Sequence, residues 1–193
     1  MIVASIPAAV AGYFLNEFVE SLFSTPLIVA AFLLVTALFL WLGERRGSRI
    51  EEQSDSSRGD HVKFNFFIAF MTGIGQAIAI LPGISRSGST ISFARFFGIK
   101  RNEAVIFSFL LSVPVIFGTF IFEIYHSSRV IFAGGSNIAL NLLAGFLVAY
   151  LAGMLAIKFL VYLAKRKNLN IFAVYCVALA VVTFIFYIIK RFI

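Results

Sequence analysis

Four apolar runs dominate this sequence, and each is close to the length needed to cross a membrane. They are residues 27–42, 104–125, 138–163 and 171–189. A membrane-spanning helix needs about 20 predominantly apolar residues. The chain is 61% hydrophobic and only 13% charged, whereas a soluble domain carries about 25% charged residues. The sequence therefore predicts an all-α polytopic membrane protein, a transmembrane helix bundle that forms one integral membrane domain over residues 1–193.

Basic residues are concentrated in three of the segments between the apolar runs. Segment 43–63 holds Arg45, Arg46, Arg49, Arg58 and Lys63, segment 98–103 holds Lys100 and Arg101, and segment 164–170 holds Lys165, Arg166 and Lys167. Segment 126–137 holds only Arg129. The positive-inside rule places the three basic segments in the cytoplasm, with 43–63 as a polar cytoplasmic loop. We attribute the net charge of +7 to these loops and their contact with anionic lipids, not to nucleic acid binding.

The charges also constrain the path of residues 64–97, which lie between two cytoplasmic segments. A re-entrant helical hairpin broken at Pro82-Gly83 would enter the membrane and return on the same side. Two short crossings would satisfy the charges equally well. However, residues 85–90 read SRSGST, which is too polar to face lipid, and residues 91–97 are too short to span. These two features favour the hairpin.

The polar stretch in this hairpin indicates an anion site. A buried Arg86 is costly in a membrane and needs a partner. We expect a helix to start after Gly88 with Ser87 or Ser89 as its N-cap, so that its free amides face the same place as Arg86. A guanidinium, hydroxyls and amides together favour a phosphate group. The alternative is a packing turn with locally bonded serines and a snorkelling Arg86. For Arg95, near the end of the hairpin, we expect snorkelling to the headgroups.

The nonapeptide PGISRSGST, residues 82–90, resembles the PGxSRSxxT signature of the undecaprenyl-diphosphate phosphatases, the bacitracin-resistance family. The stretches IPAAVAGYF, GIGQAIAILPG and EAVIFSFLLSVPVIFG also resemble this family. The resemblance implies a multi-pass enzyme of the bacterial plasma (inner) membrane that hydrolyses undecaprenyl diphosphate to the monophosphate. This reaction recycles the lipid carrier of peptidoglycan synthesis. The implied fold is an inverted-repeat architecture, with a re-entrant hairpin in each repeat.

The resemblance also implies roles for residues of this hairpin. Arg86 and Ser85 would be catalytic. The diphosphate of the polyprenyl lipid substrate would bind Ser87, Ser89, Thr90, Gly83 and Gln76. A divalent metal, Mg or Ca, is implied as cofactor, but no ligand for it is visible in this chain. The sequence predicts no oligomeric state.

One family motif has no counterpart here, a glutamate-rich segment that ends in Ser-Ser-Thr-Gly-His. Neither Glu17 and Glu20 nor His61 and His126 replace it convincingly. Three explanations stay open: a truncated start, a missing portion supplied by another chain, or a non-catalytic remnant. We therefore expect little activity from this chain alone. A polyprenyl-phosphate transporter or flippase is the alternative function, because broken helices with an anion site also occur in transporters.

Overall fold

The computed structural model describes residues 1–23, 25–56, 62–133, 135–166 and 169–192, and these residues form seven α-helices without any β-strand. The helices are α1 (Ile2–Phe23), α2 (Pro26–Ser56), α3 (Phe66–Ile78), α4 (Arg86–Phe96), α5 (Arg101–Ala133), α6 (Gly135–Arg166) and α7 (Asn170–Phe192). Four of them contain a stretch long and apolar enough to cross a membrane: Pro26–Ser54, Arg101–His126, Leu140–Tyr162 and Asn170–Lys190. The predicted all-α, polytopic fold class is thus confirmed.

Helices α3 and α4 form the predicted helical hairpin, in which α4 lies along α2 and α3 packs against α1. At its tip Gly83 lies against Val29, near the start of α2, and at its end Gly98 lies against Ile50. These two positions on α2 are about 31 Å apart along the helix axis. Gly98 also lies beside Val62, which precedes α3. The chain therefore enters and leaves the hairpin at the same end of the bundle, as a re-entrant hairpin requires.

Two glycines of α2 allow α4 to approach closely. A Cβ at Gly43 would lie 2.7 Å from the backbone of Ser92, and a Cβ at Gly47 would lie 2.8 Å from the carbonyl oxygen of Arg95. Small residues serve this purpose between membrane helices generally. These contacts correct one expectation, because residues 43–56 continue α2 as a helix and do not form a polar loop. Packing against α4 stabilises this extension; residues 57–61 lie outside the described part of the chain.

Arg95 does not snorkel, and that prediction was wrong. Its side chain is 0% exposed. Its Nη1 donates to Glu51 Oε2 over 2.6 Å, and its Nε lies 3.8 Å from Glu44 Oε2. Glu44 is itself buried and also pairs with Arg101. Burial of Arg95 is possible because two carboxylates of α2 compensate its charge, so this cluster joins α4 and α5 to α2.

The core of the bundle lies among α2, α4, α7 and the first part of α5. It is formed by small and branched side chains, including Ala37, Leu40, Ile91, Val105 and Cys176. Helix α6 lies outside this core, since no residue of its apolar stretch Leu140–Tyr162 is buried.

Candidate functional site

The hairpin turns at Gly83, whose φ of +96° is a left-handed conformation that glycine adopts without strain. The next helix, α4, starts at Arg86 with Ser85 as its N-cap, and the Ser85 hydroxyl accepts a hydrogen bond from the Gly88 amide over 3.1 Å. Our prediction of Ser87 or Ser89 as the cap was wrong. The turn at Gly83 places Ser85, not a later serine, at the N-cap. Gly88 then lies in the first turn of α4, where a glycine is tolerated. The first amides of α4, those of Arg86 and Ser87, have no hydrogen-bond acceptor among the described residues.

Thr36 of α2 fixes this tip, and sequence reasoning missed it. Its hydroxyl accepts from the Ser85 amide over 3.0 Å, and its single proton is shared between the carbonyls of Gly83 and Phe32, each 3.2 Å away. Thr36 is 0% exposed. A signal was present in the sequence, since Thr36 is the single polar residue in the apolar run 27–42. Thr36 thus positions the residues on both sides of the turn.

Arg86 is a partly buried cation whose contacts are all neutral. Its Nε and Nη2 donate to Gln76 Oε1 over 3.3 and 3.0 Å, and Nη2 also donates to the Leu111 carbonyl over 3.2 Å. No carboxylate of the described residues lies within 4.0 Å of it. Arg95, nine residues further along, has two such carboxylates. Arg86 therefore carries a positive charge that the described chain leaves uncompensated.

The Gln76 amide adds an unused donor beside this charge. Because arginine can only donate, the oxygen of Gln76 faces Arg86 and its Nε2 points elsewhere. That nitrogen is buried and has no acceptor among the described residues. The structure thus brings together Gln76 and Arg86, two of the residues predicted for the site.

The remaining predicted site residues lie in two other places. Thr90 is buried, and its hydroxyl bonds to Ser108 of α5 and to the Arg86 carbonyl. Ser89 is also buried, and its hydroxyl has no partner among the described residues. Gly83, Ser85 and Ser87 line a cavity of about 390 Å³, which Arg86 and Gln76 do not line. The structure therefore does not gather all of the predicted residues around one space.

The walls of this cavity are apolar beyond the two serines. The hairpin, α2, α5 and α7 supply them, with one residue of α6. The lining residues are Leu33, Leu40, Gly83, Ile84, Ser85, Ser87, Gly88, Ile91, Val105, Phe109, Leu160, Leu169, Phe172, Tyr175 and Cys176. The cavity therefore connects hydroxyl groups at the first turn of α4 with a hydrocarbon-like space.

The groups around Arg86 do not fit a divalent metal ion. Its neighbours are an amide, a backbone carbonyl and hydroxyls, whereas Mg and Ca sites use carboxylate oxygens. The described residues contain no group of three or more His, Cys, Asp or Glu that could hold a metal. His126 is exposed and stacks on Phe122. His61 and the side chains of Glu17 and Glu20 lie outside the described part.

We expect Thr36→Val to destabilise the protein by about 1–3 kcal/mol, because it leaves the Gly83 carbonyl and the Ser85 amide without their buried partner. Thr36→Ser keeps the hydroxyl and should retain most of that stability. Thermal unfolding can be followed by labelling of Cys176, the single cysteine, which is buried. Thr183→Val is the control, since Thr183 bonds only within its own helix. Equal melting temperatures for Thr36→Val and Thr183→Val would show that the bridge is unimportant.

Comparison with known proteins matches most of the chain to one family. The sequence model of a family described as "Bacitracin resistance protein BacA" matches residues 1–182. The undecaprenyl-diphosphatase of Methanothermobacter thermautotrophicus is 41% identical over 181 residues, which cover 94% of this chain and 95% of that protein. The undecaprenyl-diphosphatase of Elusimicrobium minutum is 36% identical over 185 residues, 96% of this chain and 66% of that protein. The undecaprenyl-diphosphatase of Methanobrevibacter smithii is 39% identical over 185 residues, which cover 95% of this chain and 62% of that protein. The chain thus spans nearly all of the first relative and slightly less than two thirds of the other two.

Proposed function

The chain belongs to the bacitracin resistance protein BacA family, and on that premise we propose that it acts as an undecaprenyl-diphosphate phosphatase. In this reaction the P–O–P bond of undecaprenyl diphosphate breaks and the oxygen of water bonds to the terminal phosphorus. The products are undecaprenyl phosphate and inorganic phosphate. The proposed setting is the plasma (inner) membrane, where the reaction returns the lipid carrier to cell-wall synthesis and contributes to bacitracin resistance.

The observation that carries the proposal for the site is the uncompensated charge of Arg86. A cation at membrane depth is costly, and the usual solution is an ion pair. Arg95 follows that solution with Glu44 and Glu51, whereas the acceptors of Arg86 in the described part of the chain are Gln76 and the Leu111 carbonyl. A diphosphate would supply the missing negative charge. Its oxygens would accept hydrogen bonds from the guanidinium and from the free Gln76 Nε2.

Within the proposed reaction, Arg86 would bind the diphosphate and stabilise the charge that develops on the transferred phosphoryl group. The open amides of Arg86 and Ser87 at the start of α4 would hold further oxygens, since a helix N-terminus favours anions. Ser85 is held in place by Thr36, so its hydroxyl lies at a fixed position beside them. The apolar cavity that begins at Ser85 and Ser87 suits the first part of a prenyl chain.

The divalent metal that the family resemblance implies finds no fitting ligand set beside Arg86 in the described residues, since the groups there are donors and neutral acceptors. The donors among them can bind phosphate oxygens directly. We therefore propose that Arg86 and Gln76 bind the phosphate oxygens themselves, without a metal ion.

The experiment that tests this function measures phosphate release from undecaprenyl diphosphate in detergent, where no membrane separates two compartments. A phosphatase releases inorganic phosphate under these conditions. A transporter or flippase leaves the diphosphate intact, so intact lipid in detergent together with translocation in vesicles would overturn the proposal.

A further inference from the structure

A second cationic site lies on α2, at the end of the bundle where the hairpin begins and ends. Arg45, Arg46 and Arg49 are all exposed there, and they face the last turn of α4. They surround a recess of about 420 Å³, which we call the arginine recess. Its lining residues are Leu42, Arg45, Arg46, Arg49, Ile50, Gln53 and Phe96.

The three guanidiniums of the arginine recess are not neutralised by the described part of the chain. None of them lies within 4.0 Å of a described carboxylate. The nearest acidic residues in sequence, Glu44 and Glu51, are engaged with Arg95 and Arg101 instead. The arginine recess therefore concentrates positive charge, because the two nearby carboxylates are paired with Arg95 and Arg101 in the buried cluster.

Aromatic rings fix the orientation of two of these arginines. The Arg46 guanidinium lies 4.3 Å from the ring centroid of Phe96, and that of Arg45 lies 5.0 Å from the ring centroid of Trp41. Stacking uses the face of a guanidinium and leaves the N–H groups at its edge free to donate. Such a preoriented group binds a phosphate with less loss of side-chain entropy than a mobile lysine does.

An apolar slot continues from the arginine recess between α2 and α4. Its volume is about 190 Å³, and it shares Leu42 and Phe96 with the recess. The slot is lined by Phe39, Leu42, Gly43, Ser92, Phe93, Phe96 and Phe97. A cationic recess joined to a hydrocarbon-lined slot matches a ligand with an anionic head and an apolar tail.

We propose that the arginine recess binds the phosphate headgroup of an anionic phospholipid from the cytoplasmic leaflet, with one acyl chain lying in the slot. The positive-inside rule places this end of the bundle in the cytoplasm, where anionic headgroups attract arginine clusters. The site is distinct from the one at Arg86. Thr36, which holds the hairpin tip, and Arg46 are about 15 Å apart along α2.

Trp41 provides a local reporter, because it is the only tryptophan of the chain and lies under Arg45. The chain is reconstituted in phosphatidylcholine nanodiscs containing increasing fractions of brominated phosphatidylglycerol, and quenching of Trp41 is recorded. Each variant is compared with its own signal in unbrominated lipid. We expect half-maximal quenching at a much lower fraction of brominated phosphatidylglycerol than of brominated phosphatidylcholine. Arg46→Gln should raise that fraction roughly tenfold, because it removes a charge-assisted contact with the phosphate.

Lys63→Gln is the matched control, since it removes one exposed charge at the same end of the bundle but outside the recess. The site is supported if Lys63→Gln keeps the preference for brominated phosphatidylglycerol over brominated phosphatidylcholine and Arg46→Gln loses it. Equal quenching of the unmodified chain by the two brominated lipids would overturn the proposed lipid site. An equal loss of the preference for phosphatidylglycerol in Arg46→Gln and Lys63→Gln would overturn it as well. Displacement of the lipid by millimolar inorganic phosphate would also overturn it, because the recess would then be a site for free phosphate.

Discussion

Replacing Arg86 with lysine is expected to lower the rate of phosphate release from undecaprenyl diphosphate by about 100-fold or more. Lysine keeps the positive charge but lacks the planar fork that can hold two phosphate oxygens at once. Its single ammonium can still donate to Gln76 Oε1 and the Leu111 carbonyl, but it cannot present the paired N–H groups of a guanidinium to a phosphate as well. The measurement is steady-state turnover of the purified variant, fused to the part of the Elusimicrobium minutum relative that the chain does not match, because little activity is expected from the chain alone.

The control for Arg86→Lys is its thermal unfolding, followed by labelling of Cys176. Arg86 donates only to neutral acceptors in the described residues, so we expect the melting temperature to change little compared with the activity. Turnover close to that of the unmodified protein would contradict the role of Arg86 as a phosphate clamp. A decrease in activity that only parallels unfolding would contradict it as well.

Arg95→Met is expected to give the largest loss of stability, about 3–5 kcal/mol. The substitution leaves the buried Glu44 and the partly buried Glu51 without the cation that joins them. For a protein of this size, such a loss corresponds to a fall of at least about 6 °C in the melting temperature. Thermal unfolding in detergent, with Cys176 labelling as readout, measures it.

Lys100→Met is the matched control for Arg95→Met. It removes a positive charge a few residues away, from a side chain that is partly exposed and makes no ion pair among the described residues. We expect a change within about 0.5 kcal/mol for this surface substitution. If the two variants unfold at the same temperature, Arg95 contributes no more than a snorkelling side chain would.

Apolar run length was sufficient to predict the helical membrane fold, and the polar stretch 85–90 with the short arm 91–97 led to the helical hairpin. These signals are strong because lipid leaves the backbone few alternatives to a helix. The break at Pro82-Gly83 was predictable for a similar reason, since Gly83 adopts a positive φ and proline cannot continue a helix.

The end of α2 was not predictable from composition. Residues 43–56 are polar and contain two glycines, which is typical of a loop. They form a helix because Gly43 and Gly47 let α4 pack closely and because Glu44 and Glu51 pair with Arg95. The same long-range contacts explain the wrong expectation for Arg95, since no sequence pattern links carboxylates at 44 and 51 with a residue over 40 positions away.

The motif around Arg86 identified the candidate site residues of the hairpin. It did not show that they lie around two separate spaces. Local sequence does not show that Arg86 turns toward Gln76 and Leu111 while Ser85 and Ser87 line a cavity with α2 and α7. Thr36 lies 49 positions from Ser85, so its bridging role depends on tertiary packing. The catalytic and binding roles assigned to these residues stay predictions.

Hydrolysis in ¹⁸O-labelled water tests the central claim most directly, because it reports both the reaction and the phosphorus that is attacked. The chain is assayed alone and fused to the part of the Elusimicrobium minutum relative that it does not match, each with Arg86 and with Arg86→Lys. We predict that ¹⁸O enters inorganic phosphate only, that Arg86→Lys nearly abolishes the release, and that the fusion turns over faster than the chain alone. Label in undecaprenyl phosphate, release that does not depend on Arg86, or intact diphosphate with the fusion would contradict a phosphatase site at the hairpin tip.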